Sequence, residues 1–224
     1  MFKKIIGVLF VMAAAYSLYS SIKGGSIASE RAVGIIIPII LYTLSGFFLF
    51  FFDGIYKLSY AEGYERRKKQ NTVIIILTVC FILLTALAGV ATVITSRVGR
   101  LLAFVVMVLP YAIPLLIFAA LLGAYVVPFN SCKRQFGDAG DILSEEEFKE
   151  YCPKGKVLSS EKHLFFPRSY CVIPIEAIAS VKHTNAIEQD IVFTLKNKKK
   201  IEIVGGKKQY EAALCAIEDN KDYE

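Results

Sequence analysis

Four uninterrupted apolar runs, residues 5–22, 33–52, 72–96 and 101–127, constrain this chain more than any other feature. None contains Asp, Glu, Lys, Arg, His, Asn or Gln. A helix rising about 1.5 Å per residue crosses a hydrocarbon layer about 30 Å thick in roughly 18–20 residues, and each run is that long. Such a layer offers no water to backbone N–H and C=O groups, which a helix pairs internally. A buried helix of a soluble protein can be apolar all round, but four in succession at this length would be exceptional, so they predict four membrane spans.

Composition agrees where it bears on this reading. Hydrophobic residues make up 55% of the 224, charged residues 21%, and mean hydropathy is +0.51, which excludes a disordered chain. Residues 1–127 carry eleven Lys/Arg and four Asp/Glu, a net of +7. Residues 128–224 carry fifteen and sixteen, a net of −1. A nucleic-acid binder concentrates positive charge on its folded soluble surface. Here the soluble part is balanced and the excess lies in loops between spans, so nucleic acid is not an expected partner.

Basic residues resist translocation and set the threading. Lys3 and Lys4 precede the first span, the second loop holds Lys57, Arg66, Arg67, Lys68 and Lys69, and the tail begins with Lys133 and Arg134. The other loops hold Lys23, Arg31, Arg97 and Arg100. Placing both termini and the second loop in the cytoplasm puts nine basic residues inside and four outside. Lys3-Lys4, an apolar stretch and Ala13-Ala14-Ala15 also have the parts of a signal peptide ending near residue 15. Cleavage there leaves three spans in the same orientation.

Pro38, Pro110 and Pro114 fall within spans and predict kinks. Ala119 with Gly123, Ala120 with Ala124, and Thr85 with Gly89 offer small-residue notches for close helix packing, within the chain or in a homo-oligomer. Tyr56, Tyr60 and Tyr64 would share an interfacial face if the second helix ran on. The cluster Arg66, Arg67, Lys68 and Lys69 has the chemistry to hold anionic headgroups at about 1 kcal/mol per charge, although an inside loop requires basic residues in any case.

Beyond residue 127 the chemistry becomes that of a soluble domain. Residues 128–155 read as a juxtamembrane linker and a short helix, opened by a capping box of Ser144 and Glu147, running to about Tyr151 and stopped by Pro153. Glu145, Glu146 and Glu147 would complement that helix's dipole at its start. Short strands are predicted at 157–158, 163–166, 169–173 and 177–183. Strict alternation at 190–196 and 200–204, about a turn centred on Asn197, predicts an antiparallel hairpin. Residues 207–220 form an amphipathic helix with Tyr210, Ala213, Leu214 and Ile217 on one face.

This order of strands ending in one helix, with Ile173-Pro174-Ile175-Glu176-Ala177-Ile178 leading into a strand, resembles the small PH-like (GRAM-like) domains of bacterial membrane proteins. With its four spans the chain resembles one of the uncharacterised bacterial multi-pass membrane-protein families. The expected fold class is therefore an all-α four-helix transmembrane bundle, residues 1–127, plus a small α+β PH-like cytoplasmic domain, residues 156–224. The resemblance implies a binding or scaffolding module and no catalytic residue.

No phosphate loop, nucleophile elbow or zinc-binding helix motif is present, and Gly205-Gly206-Lys207-Lys208 lacks the spacing for phosphate. His163 and His183 are too far apart in sequence for a close metal pair. Cys132, Cys152, Cys171 and Cys215 show no C-x-x-C spacing, and in a cytoplasmic tail they are expected as free thiols. A disulfide among them would argue for the opposite side. Catalytic, cofactor and metal sites are thus expected to be none. Lys198, Lys199 and Lys200 at the hairpin turn, with Lys196, Lys207 and Lys208, form the basic patch of the tail, a second candidate for anionic lipid. The leading expectation is a non-enzymatic protein of the cell membrane whose cytoplasmic domain binds anionic lipid or a protein partner. The alternative is a subunit of a small transporter or channel, against which stands the lack of ionisable groups within the spans.

Overall fold

The computed structural model describes residues 2–23, 32–52, 58–95, 100–151, 157–184 and 190–221. The chain divides into two compact units, Met1–Leu58 and Ser59–Glu224.

The first unit is an antiparallel pair, α1 (Phe2–Lys23) and α2 (Ala32–Phe51). Their backbones meet where neither residue has a side chain. A Cβ on Gly7 would stand 2.6 Å from the Gly46 carbonyl, and one on Gly46 2.6 Å from the Gly7 carbonyl. Phe10 and Tyr42 pack edge to face at 5.3 Å beside this crossing, and the Lys3 ammonium lies 4.1 Å from the Phe52 ring. The notches expected at Gly89 and Gly123 are different: among the described residues a Cβ at either meets no atom of another element within 4 Å.

The second unit begins with α3 (Tyr60–Thr95), a single helix of 36 residues and about 54 Å. Its first turn is held by a reciprocal capping box. The Ser59 hydroxyl and backbone N–H donate to Glu62 Oε2 at 2.9 and 3.3 Å, and Glu62 N–H donates back to Ser59 Oγ at 3.4 Å. Tyr60 and Tyr64 therefore belong to the start of α3, not to a continuation of α2; Tyr56 lies outside the described residues. The helix starts twelve residues before its apolar run, which begins at Thr72, because one face of these turns is buried against the sheet region.

α4 (Arg100–Leu121) packs antiparallel to α3, passes through a π-helical turn (Leu122–Val126) and continues as α5 (Val127–Phe136). Buried residues on α3 follow alternating steps of three and four: Tyr64, Arg67, Asn71, Ile74, Thr78 and Phe81. Phe118, Leu121, Tyr125 and Phe129 answer them from the other helix, with Phe81 stacked on Phe118 at 5.7 Å and Tyr64 tilted on Phe129 at 5.1 Å. This is knobs-into-holes spacing. Thr78 and Thr85 hydroxyls donate to the carbonyls four residues back, both at 2.7 Å, so they need no water in an apolar setting. α4 runs on through Pro110 and Pro114; the departure from α geometry comes later, at the π turn.

Among the described residues three helical stretches are long and apolar enough to cross a membrane: Lys3–Lys23, Tyr60–Val90 and Val108–Phe136. The described apolar part of α2, Ile36–Phe51, is shorter than that length. The remaining expected span, residues 33–52, falls on α2, a helix of 20 residues, so the described residues hold three candidate spans and leave the fourth neither shown nor overturned.

After α5, Gly137 adopts φ 87°, a conformation glycine takes without strain, and its N–H caps the Lys133 carbonyl at 2.9 Å. The following helix, α6, covers Gly140–Glu145 and not the 144–151 expected. Ser144 sits in its last turn, donating to the Asp141 carbonyl, so the three glutamates lie at the end of the helix and not at its start. Lys149–Glu150 instead form β1. An antiparallel sheet of order β1-β2-β3-β4 follows, with β2 Leu158–Ser159, β3 His163–Phe166 and β4 Cys171–Pro174. A second has order β5-β6-β7, with β5 Ile178–Thr184, β6 Asp190–Leu195 and β7 Lys200–Val204. The alternation read from sequence is realised: Ile191, Phe193, Leu195, Ile201 and Ile203 point inward. Phe166 meets Phe193 edge to face at 5.5 Å, so the two sheets share one core. α7 (Lys207–Lys221) closes it with Ala212, Ala213, Ala216 and Ile217. Its buried face is turned slightly from the expected one, because three alanines allow a closer approach than Leu214 would.

The β3–β4 turn docks on α3 at Gly63, where a Cβ would stand 1.9 Å from the Tyr170 hydroxyl. Tyr170 is buried against Phe165 at 5.5 Å and has little room to retreat. Gly63→Ala is expected to destabilise the full chain by about 1–3 kcal/mol, as overpacking does. Urea unfolding in detergent would measure it, and adding Tyr170→Ala should leave little further cost for the Gly63 change.

Candidate functional site

The residues with polar chemistry in buried surroundings gather where the α3–α4 hairpin meets the sheets. Arg67 is 0% exposed. Its guanidinium carbon lies 4.7 Å from the Tyr125 ring centre and 5.7 Å from that of Tyr170, and Nη1 donates to Gln70 Oε1 at 3.1 Å. Arg168, in the β3–β4 turn, approaches the same Tyr125 ring at 5.9 Å. A planar, weakly hydrated guanidinium suits aromatic faces as a lysine ammonium does not. One turn further along α3, Asn71 is buried at a seam position, where a polar side chain fixes the register of a helix pair.

Outside this layer Asp138 joins three elements. Lys133 of α5 reaches its Oδ2 at 3.1 Å, Lys68 of α3 at 3.5 Å, and the Gly140 N–H of α6 donates to Oδ1 at 3.3 Å. The neighbouring Ala139 N–H donates to the Tyr64 hydroxyl at 3.3 Å. Partial burial pushes the Asp138 carboxyl up, but the hydrogen bonds from Lys133 and Gly140 and the charges of Lys133 and Lys68 outweigh it and hold the pKa below the usual 3.8.

Between α3, α5, α6 and β3–β4 lies a cavity of about 120 Å³, lined by Tyr64, Phe129, Cys132, Lys133, His163 and Tyr170 among others. His163 Nδ1 stands 2.9 Å from the Glu146 carboxylate, which also accepts from the Ser160 hydroxyl. Ser, His and Glu thus stand together without forming a nucleophile relay, because serine and imidazole both face the carboxylate and not each other. The cluster instead pins the end of α6 to the β2–β3 turn, where Ser160 Oγ also accepts the His163 N–H at 2.9 Å. No set of three metal-ligating side chains comes together among the described residues.

Cys132 and Cys171 form a disulfide, with Cα atoms 5.8 Å apart and both residues buried. This corrects the expectation of free thiols there. α5 lies against β4 and brings together residues 39 apart in sequence, which no local spacing could signal. Cys80 and Cys215 are free, and Cys152 lies outside the described residues.

The expected lipid-contact residues separate into distinct environments. Arg66 and Lys69 are exposed, Lys68 is engaged with Asp138 and Glu65, and Arg67 faces inward. Arg67 therefore has no surface to offer a headgroup. Lys198, Lys199 and Lys200 are exposed at the β6–β7 turn, where Lys198 takes φ 65° and the Asn197 side chain accepts the Lys199 N–H at 3.0 Å. The Asn197 amide reaches Gln135 of α5 at 3.5 Å, so the lysine turn stands beside the end of the α4–α5 rod. Sequence reading missed Asp138 and the interior role of Arg67. The Tyr60, Tyr64, Arg67 spacing carried a signal for an extended α3, as did Ser59 three residues before Glu62. Comparison with protein-family models, curated proteins and solved structures finds no match to this chain.

Because Asp138 ionises more readily folded than unfolded, its contribution is fully present above about pH 3.8 and lost as pH falls through the lower folded value. Its side chain is 45% exposed, so screening keeps that contribution within about 1 kcal/mol. Asp138→Asn should therefore lower the Tm of the detergent-solubilised chain slightly near neutrality. The difference should close in the acid range below pH ~4.

Proposed function

We propose that this chain is a non-enzymatic, four-span protein of the cell membrane with both termini cytoplasmic. On this reading its C-terminal region is a PH-like (GRAM-like) module that engages anionic headgroups. Four antiparallel strands in one sheet, three in a second and one closing helix support the module assignment. Within the second unit, α3's basic first turns and the tail share one end of the hairpin. That end carries Arg66, Arg67, Lys68, Lys69, Lys133 and Arg134, against Arg100 at the other. Such a bias favours the cytoplasm. The Cys132–Cys171 disulfide pulls the other way, since disulfides persist mainly in oxidising compartments. Charge decides insertion itself, and we give it precedence.

The observation that carries the lipid reading is the Asn197–Gln135 contact. Gln135 lies eight residues beyond Val127, about 12 Å along the rod from the end of the apolar run. Four exposed lysines at that height reach the headgroup layer with flexible stems of several methylenes. Arg66 and Lys69 add to the same field from α3.

The test places the full chain in nanodiscs of phosphatidylcholine with or without phosphatidylglycerol and follows hydrogen exchange at residues 195–201. Anionic discs should slow exchange there, added salt should reverse the effect, and Lys198→Glu with Lys199→Glu and Lys200→Glu should abolish it. Equal exchange in both discs would remove the lipid reading. Labelling of exposed Cys215 by a membrane-impermeant maleimide only after the cytoplasmic face is opened would support the topology. Labelling from outside would reverse it.

A further inference from the structure

Cys132 and Cys171 are joined across two elements of different character, since α5 continues a membrane-length helix and β4 is the last strand of the first sheet. Their 5.8 Å Cα separation lies in the range that bridges without backbone movement. The reduced state also fits, because Cys171 Sγ lies 3.6 Å from the Pro128 carbonyl, an acceptor for its S–H. Both residues are buried, but Cys132 lines the 120 Å³ cavity beside Lys133, whose side chain is 38% exposed. The cavity therefore gives a small neutral oxidant a route to Cys132 and not to Cys171, which does not line it.

We propose that Cys132 and Cys171 are a peroxide-responsive dithiol–disulfide pair that clamps the first sheet to the membrane hairpin. The Cys132 thiolate attacks one oxygen of hydrogen peroxide, the O–O bond breaks, and the departing hydroxide leaves as water after taking a proton. Cys132 is then a sulfenic acid. The Cys171 sulfur attacks it, the S–S bond forms, and a second water leaves. Two thiols lose two electrons, and one peroxide becomes two waters. A dithiol reductant reverses the bridge by exchange. The reduced resting state rests on the cytoplasmic placement proposed above, whereas the pairing chemistry does not. A disulfide closing a 39-residue separation resists opening of the segment it ties, so oxidation should hold β3 and β4 on α5.

The experiment uses the full chain in nanodiscs, reduced with dithiothreitol, desalted and titrated with hydrogen peroxide. Thiols are counted by a maleimide mass tag and assigned by peptide mapping, with hydrogen exchange at residues 163–174 as second readout. Peroxide should remove two taggable thiols, those of Cys132 and Cys171, and dithiothreitol should restore them. Exchange at 163–174 should slow roughly tenfold or more on oxidation. That slowing should vanish in Cys132→Ser and Cys171→Ser and persist in Cys215→Ser. The proposal is overturned if both thiols stay taggable, if Cys132 passes to sulfinic acid without bridging, if dithiothreitol does not reopen the bridge, or if exchange is unchanged on oxidation. Cys215 labelling separates the two readings. A cytoplasmic Cys215 with an inert pair defeats the switch alone, and an external Cys215 with a pair already bridged as isolated defeats the placement and the switch's resting state.

Discussion

A guanidinium wholly withdrawn from water ties the long α3–α4 hairpin to the sheets. Taking a charge out of water costs several kcal/mol even after relaxation, so the surroundings of Arg67 have to offset it. Tyr125 comes from the π turn, Tyr170 from the β3–β4 turn, and Gln70 from the next turn of α3. The two tyrosines come with local departures from regular geometry or composition. The helix is π at 122–126, Tyr170 sits at φ 54°, and residue 63 is glycine so that the tyrosine can approach. π turns and positive-φ residues are kept where the surrounding packing demands them.

That junction explains why contacts divide the chain at Leu58 although composition changes at Val127. α3 carries one buried seam from Tyr64 to Phe81, first against α5 and the sheet and then against α4. The Asp138 network and the Cys132–Cys171 bridge reinforce the same joint from outside the apolar layer. A sheet region carried on such a rod has its distance from the apolar run set by helix length. The exposed lysines of the β6–β7 turn owe their position to that rod through Gln135 and Asn197.

Much of the architecture was legible because period and length are local properties. The apolar runs marked the helices, and the alternation of Ile191, Phe193 and Leu195 marked the hairpin. Two-residue strands such as Lys149–Glu150 left no such pattern, and the serine-to-glutamate spacing at 144–147 imitated a cap that 59–62 in fact forms. The candidate site was less legible still. Four consecutive basic residues read alike in sequence, yet only the helical phase set by the α3 seam turns Arg67 inward while leaving Arg66 and Lys69 outside. Cys132 and Cys171 meet through tertiary packing alone.

The continuity of α3 from the apolar layer into the sheet region is the claim on which the rest depends. Hydrogen exchange across residues 60–81 of the full chain in nanodiscs measures it most directly. The account predicts protection at 60–71 that matches that of 72–81, within the range of one cooperative helix. Exchange of 60–71 within seconds beside a protected 72–81 would make that segment an ordinary loop, and would contradict the account.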